Sequence, residues 1–329
     1  MLRRIKLMSV LITAAILFSF VLAGCGGSGN STGANAEGGK KYNFVLITMD
    51  SMDQHWLSVK RGAEEKAQEL GNVTVTFRAP ADKTDPGEQV RMVEDAINQK
   101  ADAILLAPLD AEALKPVVEK AADANIPVII IDSPVNTDKI VSFIATDNIK
   151  AAQIAADTLA ELIGKKGKIA IINHQPGAGT AMMRENGFKE VIKNKYPDIQ
   201  IVTTQYSMGD KTKAMNQALD IMTANPDLAG FYACNEGSTV GVAQAIKQRN
   251  ATGKIKLVGF DKSQDTINAI NEGMLQATMV QNPYKMGSLG VQFAYDTLQG
   301  KEVEKKVDTG VTVITKENVE EIISGSLSK

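Results

Sequence analysis

Short apolar runs alternate with amphipathic segments from residue 42 almost to the end of this 329-residue chain, and that alternation restricts the fold more than any other feature. The runs fall at 43–49, 73–77, 103–106, 128–131, 141–145, 168–172, 199–203, 229–233, 256–260, 275–280 and 311–314. Several, such as VIII at 128–131 and IAII at 169–172, are continuous, the pattern of strands buried on both faces. The segments between them read as helices with marked ends. Asp85-Pro86-Gly87-Glu88 offers a cap, a proline at the first helical position and a capping-box glutamate. A helix over about 213–223 buries Ala214, Met215, Ala218, Leu219 and Met222 and stops before Asn225-Pro226. Such repetition predicts an α/β fold with parallel sheets covered by helices on both faces. These strands are too many for one compact open sheet, so two doubly wound sheets of five or six strands each are expected.

The first 24 residues have a different character. Arg3, Arg4 and Lys6 precede an apolar core at 7–21, which is short for a membrane span and reads as a secretory signal peptide. Leu22-Ala23-Gly24-Cys25 resembles the lipobox of bacterial lipoproteins, which implies that Cys25 becomes the lipid-modified first residue of the mature protein. Residues 25–41, rich in Gly, Ser and Asn, then read as a flexible tether with a reach of roughly 20 Å. The folded part is therefore expected on the extracytoplasmic face of the cell membrane, in a periplasm or on the outer surface of the plasma membrane. Removing the three basic residues of the leader from 36 leaves 33 against 38 acidic ones, a net charge of −5 and no basic field for nucleic acid. The two cysteines are Cys25 and Cys234; with the first acylated no disulfide can form, and Cys234 reads as a small buried hydrophobe.

In open parallel sheets, ligands bind beyond the carboxyl ends of the strands. Those positions here hold Asp50, Asp53, His55 and Trp56 after the first run, Asp132 after the fourth and His174 after the sixth. Asn235 and Glu236, Asp261, and Gln281 follow later runs, and Arg184 lies on the helix after His174. Carboxylates, amides and a guanidinium suit a small polyhydroxy ligand, and an indole face suits the C–H patches of its ring. Plainer roles compete for some of these positions. Asp110, Asp147 and Asp210 read as helix caps, Asp53 could also be one, His174 reads as a loop residue, and Trp56 could join Val59, Ala63, Ala67 and Leu70 in the core. His55 and His174 lack a ligand-spaced partner set, so neither a metal nor a cofactor is expected. The chain has no G-x-S-x-G, H-E-x-x-H or phosphate-loop motif, and Pro176–Thr180 reads as a glycine-rich turn, so binding and not catalysis is expected.

Seven blocks extend this reading. NFVLITMDSMDQHW, ADAILLAPLDAEAL with NIPVIIIDS, SFIATDN, MRENGFKEV, FYACNEGSTVGVAQAIK, KLVGFDKSQDTINAINEGMLQATMVQNPYKMG and DTGVTVIT occur in order over about residues 42–315. Together they resemble the ribose- and galactose-type sugar-binding proteins of ABC importers, the type I periplasmic-binding-protein fold. The resemblance implies two Rossmann-like lobes joined by a three-crossover hinge: one of residues 42–147 plus 282–310, the other of 148–281 plus 311–329. It implies a monomeric lipoprotein that holds a monosaccharide or related polyol between the lobes and delivers it to an ABC permease. Asp53, His55, Trp56, Asp132, Arg184, Asn235, Asp261 and Gln281 match the positions of family ligand contacts, and Asp50 lies beside them. Two departures stand out: Ser133 replaces an arginine, and Met208-Gly209 replaces an aromatic for which Tyr206 is the substitute at hand. The alternative within the same fold is a receptor that passes a sugar-like signal to a membrane sensor or chemoreceptor.

Overall fold

The computed structural model describes residues 40–324. The proposed signal peptide, Cys25, all of the tether except Lys40 and Lys41, and the last five residues lie outside them. No helix among the described residues is long and apolar enough to cross a membrane.

The eleven apolar runs form strands β1 (Tyr42–Ile47), β2 (Val73–Arg78), β3 (Ala103–Leu106), β4 (Val128–Ile131), β5 (Ser142–Ala145), β6 (Gly167–Asn173), β7 (Ile199–Tyr206), β8 (Leu228–Ala233), β9 (Lys256–Phe260), β10 (Ala277–Val280) and β12 (Thr312–Thr315), and a further strand, β11 (Lys306–Asp308), joins them. Two six-stranded sheets result, ordered β11-β5-β4-β3-β1-β2 and β12-β10-β9-β8-β6-β7. Each winds outward in both directions from its first strand, so each has a crevice beside that strand at its carboxyl edge. β3, β4 and β10 are buried along their whole length, as continuous apolar runs require when helices cover both faces.

Two strands differ from expectation. β11, KVD, has no apolar run and sits at the sheet edge with Lys306 and Asp308 exposed, so hydrophobic patterning could not show it. β12 pairs with β10 antiparallel, the exception to an otherwise parallel arrangement, because the chain enters it directly from β11 with no helix between them.

Among the helices, α1 (Gln54–Leu70) buries Trp56, Val59, Ala63 and Ala67 along one stripe. It packs closely on α9 (Pro283–Leu298), where a side chain on Gly287 would bring Cβ to 2.0 Å from the Val59 carbonyl oxygen. α2 (Pro86–Asn98) starts at Asp85, whose Oδ1 accepts from Gly87 N at 2.8 Å. The expected capping box is absent there. Glu88 instead turns back to accept from the backbone N–H groups of Ala81 and Asp82, at 3.0 and 3.3 Å, and so ties the preceding loop to the helix. α3 (Lys115–Asp123) completes the first lobe's outer layer. In α6 (Lys211–Ala224) the buried positions are Ala214, Ala218, Ile221 and Met222, while Met215 and Leu219 are only partly covered.

The chain passes between the two sheets three times: from β5 into α4 (Asn148–Leu162), from β10 into α9, and from β11 into β12. The first and third passages are bonded together. Thr146 Oγ1 donates to the Gly310 carbonyl at 3.1 Å, and Asp308 Oδ1 accepts from Asp147 N at 3.0 Å. We call the halves around the two sheets the first and second lobes.

Candidate functional site

One cavity of about 70 Å³ between the lobes is lined by all nine polar and aromatic residues singled out from the sequence. From the first lobe come Asp50, Asp53, His55, Trp56 and Asp132; from the second come Arg184, Asn235, Asp261 and Gln281. The topology accounts for this convergence. Six of them lie at or shortly beyond the carboxyl ends of strands, His55 and Trp56 follow on the first turn of α1, and α5 (Gly179–Lys195) carries Arg184 in from the side.

Asp132 and Asp261 occupy equivalent places in the two lobes, each directly after the fourth strand of its sheet. Both hold left-handed backbone, φ 63° and 72°, which non-glycine residues adopt at a cost and which recurs at binding sites. Each N–H is anchored on the neighbouring strand, Asp132 on the Ile144 carbonyl and Asp261 on the Met279 carbonyl, both at 2.9 Å.

His55 lies between these two carboxylates. Its Nε2 is 2.9 Å from Asp132 Oδ1 and its Nδ1 is 3.9 Å from Asp261 Oδ1. The closer pair is near enough for strong attraction but is not aligned as a hydrogen bond, and both atoms remain without a hydrogen-bond partner in the chain. Burial opposes a charged imidazole at His55, but the negative charges of Asp132 and Asp261 outweigh it and raise the pKa, with Arg184 acting against them. Burial likewise opposes charge on Asp132, and there His55, Arg184 and His174 prevail and lower the pKa.

Arg184 is fixed at both ends of its fork. Nε donates to Asn148 Oδ1 at 2.7 Å, at the first passage between the lobes, and Nη1 donates to the Cys234 carbonyl at 2.8 Å. Its guanidinium carbon lies 4.1 Å from the centre of the Phe260 ring, so the planar group stacks as well as bonds. Asp261 is not a free acceptor. Its Oδ2 accepts from Glu236 N at 3.0 Å and its Oδ1 from Gln281 Nε2 at 2.7 Å, so it organises two neighbours. Gln281 is left with an unpartnered Oε1.

Asn235 caps α7 (Glu236–Gln248), accepting from Ser238 N at 3.1 Å. Asp50 stabilises the turn into α1 by accepting from the backbone of Met52 and Asp53, and its other oxygen faces Lys83 Nζ at 3.5 Å. Asp53 stands at the cap position of α1 but makes no capping bond, which leaves its carboxylate to the cleft. Trp56 fills both roles considered for it, as a core member of the first lobe and as cleft wall; its ring meets His55 edge-on, with centres 4.6 Å apart. Asp110, Asp147 and Asp210 are caps or turn acceptors, bonded to the N–H groups of Ala113, Lys150 and Lys213.

Tyr206 does not supply the missing aromatic. Its hydroxyl donates to Glu185 Oε2 at 2.7 Å, away from the cavity, and Met208 lines the wall instead. Five further polar residues, Lys83, His174, Gln175, Thr180 and Glu236, line the cleft without having been singled out as contacts. His174 is buried, and burial followed by the Arg184 charge lowers its pKa to about 3. Lys83 reaches across from the first lobe and donates to the Gly209 carbonyl of the second at 3.1 Å. Glu236, next to Asn235, carries an unpartnered Oε2. Its place at a strand end was the available signal.

Comparison with known proteins agrees with this architecture. A family model described as a periplasmic binding protein domain matches residues 44–302. The chain is 30% identical over 313 residues to the ribose import binding protein of Bacillus subtilis, covering 94% of this chain and 99% of that one. Among solved structures it is similar to an ABC transporter solute-binding protein of Agrobacterium vitis with bound D-fucose, at 40% identity and TM-score 0.83 over 85% of this chain and 97% of that one. A carbohydrate transporter solute-binding protein of Agrobacterium radiobacter in complex with D-arabinose is 34% identical at TM-score 0.83, covering 86% of this chain and 98% of that one.

Proposed function

The chain belongs to the periplasmic binding protein domain family, and from that premise we propose that it captures a monosaccharide or related polyol between its lobes and delivers it to an ABC importer. Members of this family bind solutes for transport and do not convert them.

The observation that carries the sugar reading is the set of orphaned atoms in the cavity. Glu236 Oε2 and Gln281 Oε1 are buried in the cavity with no hydrogen-bond partner in the chain, and across from them in the first lobe His55 Nε2 and Asp132 Oδ1 face only each other, at 2.9 Å. Each such atom costs about 1–3 kcal/mol if left unmet. Hydroxyl groups both donate and accept, so one polyhydroxy ring can satisfy the whole set. A cavity of about 70 Å³ suits a single ring more than a chain of them. Contacts from both lobes make the ligand favour the closed arrangement, because only there does it reach both halves.

Trp56 is the only tryptophan, and it lines the cavity. Titration with D-fucose, D-arabinose, D-ribose and D-allose should change its emission for any sugar that calorimetry shows to bind. Absence of binding across pentoses, hexoses and polyols would remove the sugar reading. We further propose that Cys25 is acylated and holds the protein to the extracytoplasmic face of the membrane. Cys25→Ala should then appear in the soluble fraction, and persistence in the membrane fraction would refute acylation as the anchor.

A further inference from the structure

Lys83 belongs to the loop between β2 and α2 and lines the cavity, where its ammonium meets one acceptor from each lobe. Nζ donates to the Gly209 carbonyl of the second lobe at 3.1 Å and stands 3.5 Å from Asp50 Oδ2 of its own lobe. Each end of the cross-lobe bond is anchored on its own side. In the first lobe, Asp82 Oδ1 accepts from the N–H and the hydroxyl of Thr84 at 2.8 and 2.6 Å. Asp85 N donates to the Asp82 carbonyl at 3.0 Å, so the turn around Lys83 is closed on itself. In the second lobe, Gly209 N donates to Ser207 Oγ at 3.2 Å and Met208 N to the His174 carbonyl at 2.8 Å. Gly209 holds left-handed backbone, φ 68°, and its carbonyl lies against the start of α7, where a Cβ on Gly237 would be 2.2 Å from the oxygen. That oxygen is not free to follow the lysine. When the lobes part, the bond to Gly209 breaks, while the attraction of Lys83 to Asp50 persists within the first lobe.

We propose that Lys83 is a cross-lobe latch: its bond to Gly209 stabilises the closed arrangement and so sets how tightly any ligand is held, without itself reading the sugar. This rests on the reading of the cleft as a sugar site. Measured affinity is the intrinsic affinity of the closed cleft scaled by the fraction of molecules that close. A charge-assisted hydrogen bond made only on closure raises that fraction. The bond joins protein to protein, so its contribution is the same whichever ring is bound.

The test is calorimetry on the whole soluble protein with the four sugars named above, comparing the natural chain with Lys83→Met. Methionine keeps an apolar stem and removes the charge and the donors, and with 34% of the lysine side chain exposed the exchange leaves the core intact. The expected result is a dissociation constant raised about tenfold, by one common factor for each sugar that binds, with the melting temperature of the ligand-free protein unchanged. Unaltered affinity overturns the latch and leaves the sugar reading standing. A loss that differs from sugar to sugar makes Lys83 a ligand contact and also overturns it. So does a fall in the ligand-free melting temperature, which would locate the damage in the first lobe itself. Failure of every sugar to bind overturns both readings.

Discussion

His55 and His174 stand in one cleft, yet their proton affinities move in opposite directions because different charges lie nearest. Burial disfavours the charged form of each. At His55 the carboxylates of Asp132 and Asp261 override it, whereas at His174 the Arg184 guanidinium adds to it. His174 thus stays neutral in the fold down to about pH 3, while in the unfolded chain it takes up a proton below about 6.5. Between those values the unfolded state binds more protons, so stability falls on acidification, by at most about 1.4 kcal/mol per pH unit from this group. His174→Gln should flatten the loss of stability between pH 6.5 and 4, measured by urea unfolding; an undiminished slope would assign the acid sensitivity elsewhere. Side-chain detail of this kind lies beyond a one-dimensional reading. All nine singled-out residues line the cavity, most of them placed by the strand-end rule and Arg184 by its position on the helix after His174. It could not reveal that both oxygens of Asp261 serve neighbouring protein groups, or that Glu236 keeps a free one. Position along the chain gives the end of the strand, while the direction of the side chain depends on its neighbours in space.

At the level of elements, legibility followed burial. Buried strands such as β4 and β9 were readable to the residue, because continuous apolar runs leave no other arrangement. β11 was not, since a three-residue edge strand with a single apolar residue, Val307, is held mainly by its backbone pairing with β5. Nor does sequence periodicity report how closely two helices approach. The contact of α1 with α9 depends on backbone-to-backbone proximity at Gly287, where any Cβ would lie 2.0 Å from the Val59 carbonyl oxygen. Because backbone and not a flexible side chain blocks the way, Gly287→Ala must push the helices apart. It should destabilise the protein by about 1–3 kcal/mol. Thermal unfolding would measure the change, and an unaltered midpoint would show that the helices separate at no cost.

For the whole molecule, the lobe-to-lobe contacts depend on small residues at the cleft rim. A side chain on Gly179, at the start of α5, would place Cβ 2.5 Å from the ring carbons Cδ and Cγ of Pro134 in the other lobe. Gly179→Ala should therefore hinder full closure and weaken sugar binding about tenfold, since relief of such a clash costs about 1–3 kcal/mol. The ligand-free protein, able to rest open, should keep its melting temperature. Calorimetry and scanning together separate the two effects, and equal losses in both would mean that the substitution damages the second lobe itself.

The order in which the strands occur along the chain has a bearing on how the molecule is made. β11 and β12, within residues 306–315, complete one sheet each, and α9, which covers α1, also arrives only after the second lobe's first five strands. Neither half can finish while the polypeptide is still emerging amino terminus first. Assembly has to wait for the final turns of synthesis, and until then the apolar stripe of α1 lacks its cover and is open to proteases and chaperones.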